Sequence, residues 1–343
     1  MKKLLFAFSA LALISCGTSK EASDNDPNTD YAAKYAETIT EKDLAKHLFI
    51  YASDEFEGRD TGEPGQKKAV EYLKKFYQSQ KIKSPLGGTN YFQKVPSEYL
   101  SNNRRGITLN DSENVVAFIE GSEKPEEILV ISAHLDHEGI KNGEIYNGAD
   151  DDGSGTVAIL EIAEAFQKAV KAGKRPKRSI LFLHVTGEEK GLLGSKYYTE
   201  NPIFPLANTV TNLNIDMIGR IDPKRTKGDR NYIYLIGADK LSTELHNISE
   251  AMNKKYMNID IDYTYNDEND PNRFYYRSDH YNFAKHNIPI IFYFNGTHDD
   301  YHRPSDTPDK INYDLLENRT RLVFHTAWEL ANRENRVIVD KAN

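Results

Sequence analysis

Residues that can bind a metal or move a proton recur in this chain directly after short apolar runs. His134, Leu135, Asp136 and His137 follow Ile128 to Ala133, and Thr186, Gly187, Glu188 and Glu189 follow Ile180 to Val185. Asp216 follows the run ending at Ile215, and a segment ending in Tyr301 and His302 follows Ile288 to Phe294. Between the first two lies GADDDGSG, Gly148 to Gly155, an acidic loop that opens a helical stretch. Each piece alone is weak: a lone histidine after a strand is more often a satisfied polar residue, and adjacent glutamates usually mark a solvated helix start. Together they make an N,O donor set without thiolate, which suits zinc and also cobalt or manganese. One ion needs about three protein ligands. The surplus of carboxylates therefore points to two ions about 3.5–4 Å apart.

Such convergence requires a fold that ends several strands side by side. The apolar runs Val115 to Ile119, Ile128 to Ala133, Ile180 to Val185, Val210 to Ile215, Tyr232 to Ile236 and Ile288 to Phe294 are expected as strands, several too apolar to be half exposed. Helical stretches fall between them at about 154–172, 191–200, 241–256 and 314–333. Two more precede the sheet: Ile39 to Tyr51, with Thr40 as N-cap, and Gly65 to Ser79, with Ala69, Tyr72, Leu73 and Phe76 on one face. This is the pattern of an α/β fold with a mostly parallel central sheet, mixed at its edges, and helices on both faces. Ligands in such folds bind at the carboxyl ends of the strands.

Of the 343 residues, 38% are hydrophobic and 28% charged, which excludes wholesale disorder and a multi-span membrane protein. A net charge of -8 offers no broad basic surface, so nucleic-acid binding is not expected. Lys2 and Lys3 precede the apolar run Leu4 to Ile14, and the run closes in Leu13, Ile14, Ser15, Cys16, Gly17. That junction resembles the bacterial lipobox, which implies a signal over residues 1–15, acylation of Cys16 and attachment to a lipid bilayer. Residues 16–30 are polar and are expected as a flexible tether. The expected product is exported, a lipoprotein of the outer membrane or cell surface, Gly17 rather than Asp after Cys16 weakly favouring release from the inner membrane. A single catalytic domain is expected over residues 31–343.

The segments EGRDTGEPG, SAHLDHEG, NGADDDGSG, TGEEKGLLGS, NIDMIGR, RSDHYNF and YHRPSDTPDKI occur in this order between Ile39 and Ile311. In these the chain resembles the co-catalytic di-zinc aminopeptidases, whose fold, a three-layer zinc-exopeptidase sandwich, also carries glutaminyl cyclases and glutamate carboxypeptidases. The resemblance implies two divalent metal ions, zinc first, with Asp151 bridging them. It places His134 and Asp216 on one ion, and Glu189 and His302 on the other. It also implies Glu188 as general base for a shared water or hydroxide, Tyr301 as stabiliser of the tetrahedral oxyanion, Asp136 as the carboxylate that orients His134, and Asp306 in the same role for His302. Asp150 and Asp152 rank below Asp151 as ligands and are expected to hold the loop. His137 and His298 are not expected as ligands, because the family fills its sites without them. The implied substrates are peptides with a free N-terminus. The segment from Leu86 to Asn114 is too short for the protease-associated domain that some relatives insert.

Rival chemistries are poorly supported. GSGTVA at Gly153 fits a dinucleotide fingerprint, but three aspartates before it would repel a pyrophosphate. There is no G-x-S-x-G or H-E-x-x-H, and the one cysteine lies in the signal. A non-catalytic relative should have lost ligands or the base, and here all six positions are filled. A carboxypeptidase would need a basic clamp, for which Arg220, Arg273 and Arg277 are available. The aromatics Tyr263, Tyr265, Phe274, Tyr275, Tyr276, Tyr281 and Phe283 suggest either an apolar pocket wall or a packed core under a long loop.

Overall fold

Ten strands and nine α-helices form among residues 29–101 and 108–341, the residues that the computed structural model describes. The strands are β1 (Phe92–Val95), β2 (Ser112–Ile119), β3 (Lys124–His134), β4 (Gly139–Lys141), β5 (Glu144–Tyr146), β6 (Arg178–Val185), β7 (Thr209–Ile215), β8 (Tyr232–Ile236), β9 (Asp260–Asp262) and β10 (Ile290–Phe294). Eight make one sheet in the order β1-β2-β6-β3-β7-β10-β8-β9, while β4 and β5 pair separately as a hairpin. The centre, β6-β3-β7-β10, is parallel. Antiparallel pairs bound it, β1 with β2 and β2 with β6 on one side and β10 with β8 on the other.

The helices are α1 (Tyr31–Ala36), α2 (Glu41–Tyr51), α3 (Pro64–Gln80), α4 (Ser97–Leu100), α5 (Gly155–Lys171), α6 (Leu193–Glu200), α7 (Thr243–Met252), α8 (His280–Ala284) and α9 (Tyr313–Asn332). Thr40 caps α2 as its type predicts, its hydroxyl accepting the Asp43 N–H at 3.2 Å. Alternate residues of the central strands feed two cores. Leu129 and Ile131 of β3 and Phe182 of β6 pack with Leu48, Leu73, Leu160 and Phe324 of α2, α3, α5 and α9. Ile128, Val130, Leu181 and Leu183 face the other way, against Tyr198 of α6 and Phe283 of α8. Burial of both faces is why these strands read as continuous apolar runs and not as alternating ones.

All four parallel strands of the centre end at one edge. His134 is the last residue of β3, Asp216 follows β7 directly, and Glu188 and Tyr301 lie in the loops after β6 and β10. The described residues from Tyr31 onward form one compact unit. The expected signal, Cys16 and the tether as far as residue 28 lie outside the described residues. No described helix is long and apolar enough to cross a membrane.

Candidate metal centre

Asp151 sits at the middle of the strand edge with one carboxylate oxygen facing each way. Its Oδ1 lies 3.1 Å from His134 Nε2, and its Oδ2 lies 3.0 Å from His302 Nε2. Asp216 Oδ1 stands 3.6 Å from the first imidazole, and Glu189 Oε2 stands 3.2 Å from the second. The five residues that the resemblance singles out thus gather in two overlapping groups about Asp151. His134, Asp151 and Asp216 form one set of donors lying within 4.8 Å of one another. His137 joins them from an unexpected quarter, its Nδ1 2.9 Å from Glu189 Oε1 and 3.8 Å from Asp151 Oδ2.

The loop that carries Asp151 is pinned by its neighbours, as expected for them. Asp152 accepts backbone N–H groups from His134, Gly155 and Met217, fastening β3, α5 and the end of β7 together. Asp150 accepts the Gly219 N–H at 2.6 Å and lies 3.1 Å from His298 Nε2, which turns His298 away from the donor set. Gly148 enters the loop at φ +53°, where an added Cβ would stand 2.2 Å from Asp151 O and 2.4 Å from His137 Cγ. Beneath it the fully buried Arg59 donates to the carbonyls of Tyr51, Leu135, Asn147 and Gly148.

Two expected orienting roles fall differently. Asp306 does not reach His302: its carboxylate accepts the backbone N–H groups of Asp150 and Asp151 instead, because the turn after His302 folds back under the acidic loop. The carboxylate facing His302 Nδ1 is that of Glu138, at 3.7 Å. Nδ1 of His134 hydrogen-bonds the backbone carbonyl of Asp136 at 3.0 Å, with the Asp136 carboxylate at 3.9 Å. That carboxylate is occupied by Thr61 Oγ1 and the N–H of Glu188. Sequence reasoning also assigned nothing to Ser278, whose hydroxyl donates to Asp216 Oδ2 at 2.6 Å and accepts from Asn214 Nδ2. Ser278, Arg59 and Thr61 lie inside RSDHYNF and EGRDTGEPG, so motif membership was their signal.

Electrostatics favour cations here. Burial works against charge on the histidines, yet Asp151 and Asp216 hold His134 well above its usual value, and Asp151 and Glu189 push His302 up to about 10. Asp151 Oδ2 and Glu189 Oε1 are buried without a hydrogen-bond partner among the described residues. Buried lone pairs of this kind are costly unless a cation takes them. Asp151, Glu189 and Asp216 bring three negative charges, which two divalent ions and one hydroxide bring to neutrality. The donor chemistry therefore fits two zinc ions.

Beside the donors opens a cleft lined by Asp151, Glu188, Asp216, the apolar Met217, Phe274, Phe292 and Phe294, and Arg277, Thr297 and Tyr301. Of the aromatics suggested as a wall, Phe274 lines the cleft; Phe283 belongs to the core beneath α8. Among the arginines, Arg220 is held by Asp300 at 2.8 Å and Arg273 lies over the Tyr276 ring, leaving Arg277 on the cleft. Burial pushes the carboxyl of Glu188 well above the usual range, and the Tyr301 hydroxyl is likewise raised.

A mostly parallel sheet with paired His and carboxylate donors at its carboxyl edge is, at the level of the family that the chain matches, the architecture of a zinc metallopeptidase. Residues 114–327 match peptidase family M28, and the chain belongs to that family, in which two zinc ions are the norm. It is 35% identical over 113 residues to an aminopeptidase, NAALADL1, of Rattus norvegicus, the match covering 32% of this chain. It is also 35% identical over 105 residues to a probable glutamate carboxypeptidase, LAMP1, of Arabidopsis thaliana, covering 30% of this chain. Each match spans only 14% of the relative's length. In structure it resembles the LapA aminopeptidase of Legionella pneumophila at a TM-score of 0.66 and 21% identity, over 89% of this chain and 75% of that one, a likeness of fold.

Proposed function

We propose that the chain is an aminopeptidase, removing single residues from the free N-terminus of peptides. The observation that carries this reading is the composition of the cleft. Met217, Phe274, Phe292 and Phe294 line it together with Glu188 and the donors Asp151 and Asp216, so an apolar N-terminal side chain can lie against the rings with its α-amine on the side of the donors. His134, Asp151 and Asp216 would hold one zinc ion, and Asp151, Glu189 and His302 the other, Asp151 bridging. When bound, the ions supply Lewis acidity, lowering the pKa of a water towards neutrality and polarising the scissile carbonyl.

Glu188 then acts as general base. It neighbours Glu189 in sequence without being in the donor set, and its N–H is fixed on Asp136 Oδ1 at 3.2 Å. It takes one proton from the attacking water and delivers it to the leaving amine as the C–N bond breaks. The protonated hydroxyl of Tyr301 donates to the oxyanion, its ring held by stacking on His302 with centroids 3.9 Å apart. Asp136 sets both the Glu188 backbone and, through its carbonyl, the tautomer of His134.

Hydrolysis of leucine p-nitroanilide, abolished by chelator, restored by added zinc and absent for the N-acetylated compound, is the expected behaviour. Equal rates on free and acetylated substrates, or indifference to chelation, would refute it. A carboxypeptidase is the second reading, and Arg277 on the cleft is the observation that favours it. The proposal also takes residues 1–15 as a lipoprotein signal, Cys16 as the acylated residue and residues 16–30 as a tether before one catalytic domain, so that the enzyme works at an outer membrane or cell surface. Palmitate labelling that persists in Cys16→Ala would remove the anchor.

A further inference from the structure

His137 is fully buried, and neither of its ring nitrogens has a hydrogen-bond partner among the described residues. Buried imidazoles normally satisfy at least one nitrogen. Its Nδ1 is 2.9 Å from Glu189 Oε1, an ion-pair distance at which the two groups do not meet hydrogen-bond geometry. The Glu189 oxygen is orphaned as well. Two buried donor atoms so close, neither serving the other, have the arrangement of ligands turned towards a common third point.

The spacing agrees with that arrangement. Two donors on one tetrahedral zinc, each at about 2.0–2.1 Å, stand about 3.3–3.4 Å apart. Around the Glu189 side of the cluster the separations are 3.0 Å (His302 Nε2 to Asp151 Oδ2), 3.2 Å (His302 Nε2 to Glu189 Oε2), 2.9 Å (His137 Nδ1 to Glu189 Oε1) and 3.8 Å (His137 Nδ1 to Asp151 Oδ2). His137, Asp151 and Glu189 also meet as a group of donors lying within 4.8 Å of one another. Gly148 lies against its ring, where an added Cβ would stand 2.4 Å from His137 Cγ.

We infer that His137 is a metal ligand, giving the ion on the Glu189 side four protein donors (Asp151, Glu189, His302 and His137 Nδ1) while the ion on the Asp216 side keeps three. The two positions then differ in kind. Four protein donors close a tetrahedral site, whereas three leave a position for substrate. Of the carboxylate donors, Asp216 and the shared Asp151 line the cleft and Glu189 does not.

The inference rests on the two-zinc reading, and the experiment separates the two. Full-length wild type, His137→Ala, His137→Gln and His137→Asp are equilibrated in a zinc buffer and their bound zinc counted by elemental mass spectrometry, with thermal melts to establish folding. A wild-type count below two defeats the two-zinc reading itself. With a wild-type count of two, folded Ala and Gln variants should drop to one, with the weaker zinc bound at least about 100-fold less tightly, while Asp, which can still ligate, should restore the second zinc. Two zinc ions held by the Ala and Gln variants within about threefold of wild-type affinity would overturn the inference. Should the Ala variant not fold, cobalt-loaded Gln against wild type decides: a changed visible absorption supports direct ligation, and an unchanged spectrum overturns it.

Discussion

Ser278 donates its hydroxyl to Asp216 Oδ2 at 2.6 Å, which leaves Oδ1 as the oxygen facing His134. Ser278 in turn accepts from Asn214, so a buried polar chain running along β7 fixes the rotamer of the carboxylate. Partners of this kind usually contribute 10–100-fold in metal affinity or activity. Ser278→Ala should lower kcat/KM and zinc affinity by about 10-fold with little loss of stability, as steady-state kinetics and zinc titration would show. Wild-type values for both would leave the hydrogen bond without a role.

Glu188→Gln keeps shape and removes the basic oxygen. The variant should retain its zinc and its melting temperature while kcat falls by about 10²–10⁴. Near-wild-type turnover would shift the base to another residue.

Tyr301→Phe deletes one donor to the oxyanion and keeps the ring on His302. The expected result is a fall in kcat of about 10²-fold with KM nearly unchanged, because the bond strengthens only as negative charge develops. A change confined to KM would make Tyr301 a binding residue instead.

Arg59→Met should act on stability rather than on chemistry. Four backbone carbonyls would lose their donor inside the protein. The cost should be about 3 kcal/mol or more, read as a lower melting temperature in the presence and absence of zinc.

Glu161 of α5 is buried against His47 of α2, whose Nε2 lies 3.4 Å away, and its pKa is pushed up to about 8 by burial and by the neighbouring Glu164 and Asp43. A carboxyl raised in the folded state contributes stability that is complete below its unfolded value near 4.5 and is lost as pH rises through about 8. Glu161→Gln should therefore melt progressively higher than wild type as pH rises from 5 to 9. Parallel curves for the two proteins would contradict the raised value.

The central strands and the donor positions were legible for one physical reason. A parallel strand buried on both faces is rich in apolar residues, and the ionisable residue that follows such a run marks its carboxyl end, as at His134 and Asp216, while the buried polar residues inside it, such as Ser132, Asn212 and Asn214, pair with one another and with Ser278. The weakly apolar pieces were not legible: β1, the β4–β5 hairpin and β9 are short, partly exposed and built of mixed residues such as Asp260–Asp262. Partners set by loop closure also escaped. Nothing in the spacing of Asp306 and His302 shows that the turn carries Asp306 to the backbone of Asp150 and leaves Glu138 opposite the imidazole. His137 escaped for another reason: the resemblance supplied a complete ligand set without it, and only the fold brings its Nδ1 to 2.9 Å from Glu189 Oε1.

The central claim, removal of residues from the amino end by a zinc-dependent site, is tested most directly by mass spectrometry of one peptide with both termini free and an apolar N-terminal residue. Zinc-loaded protein should shorten it one residue at a time from the N-terminus, leave its N-acetylated twin intact, and stop when chelator is added. Products shortened from the C-terminus, or an N-terminal series that persists in chelator, would contradict the account.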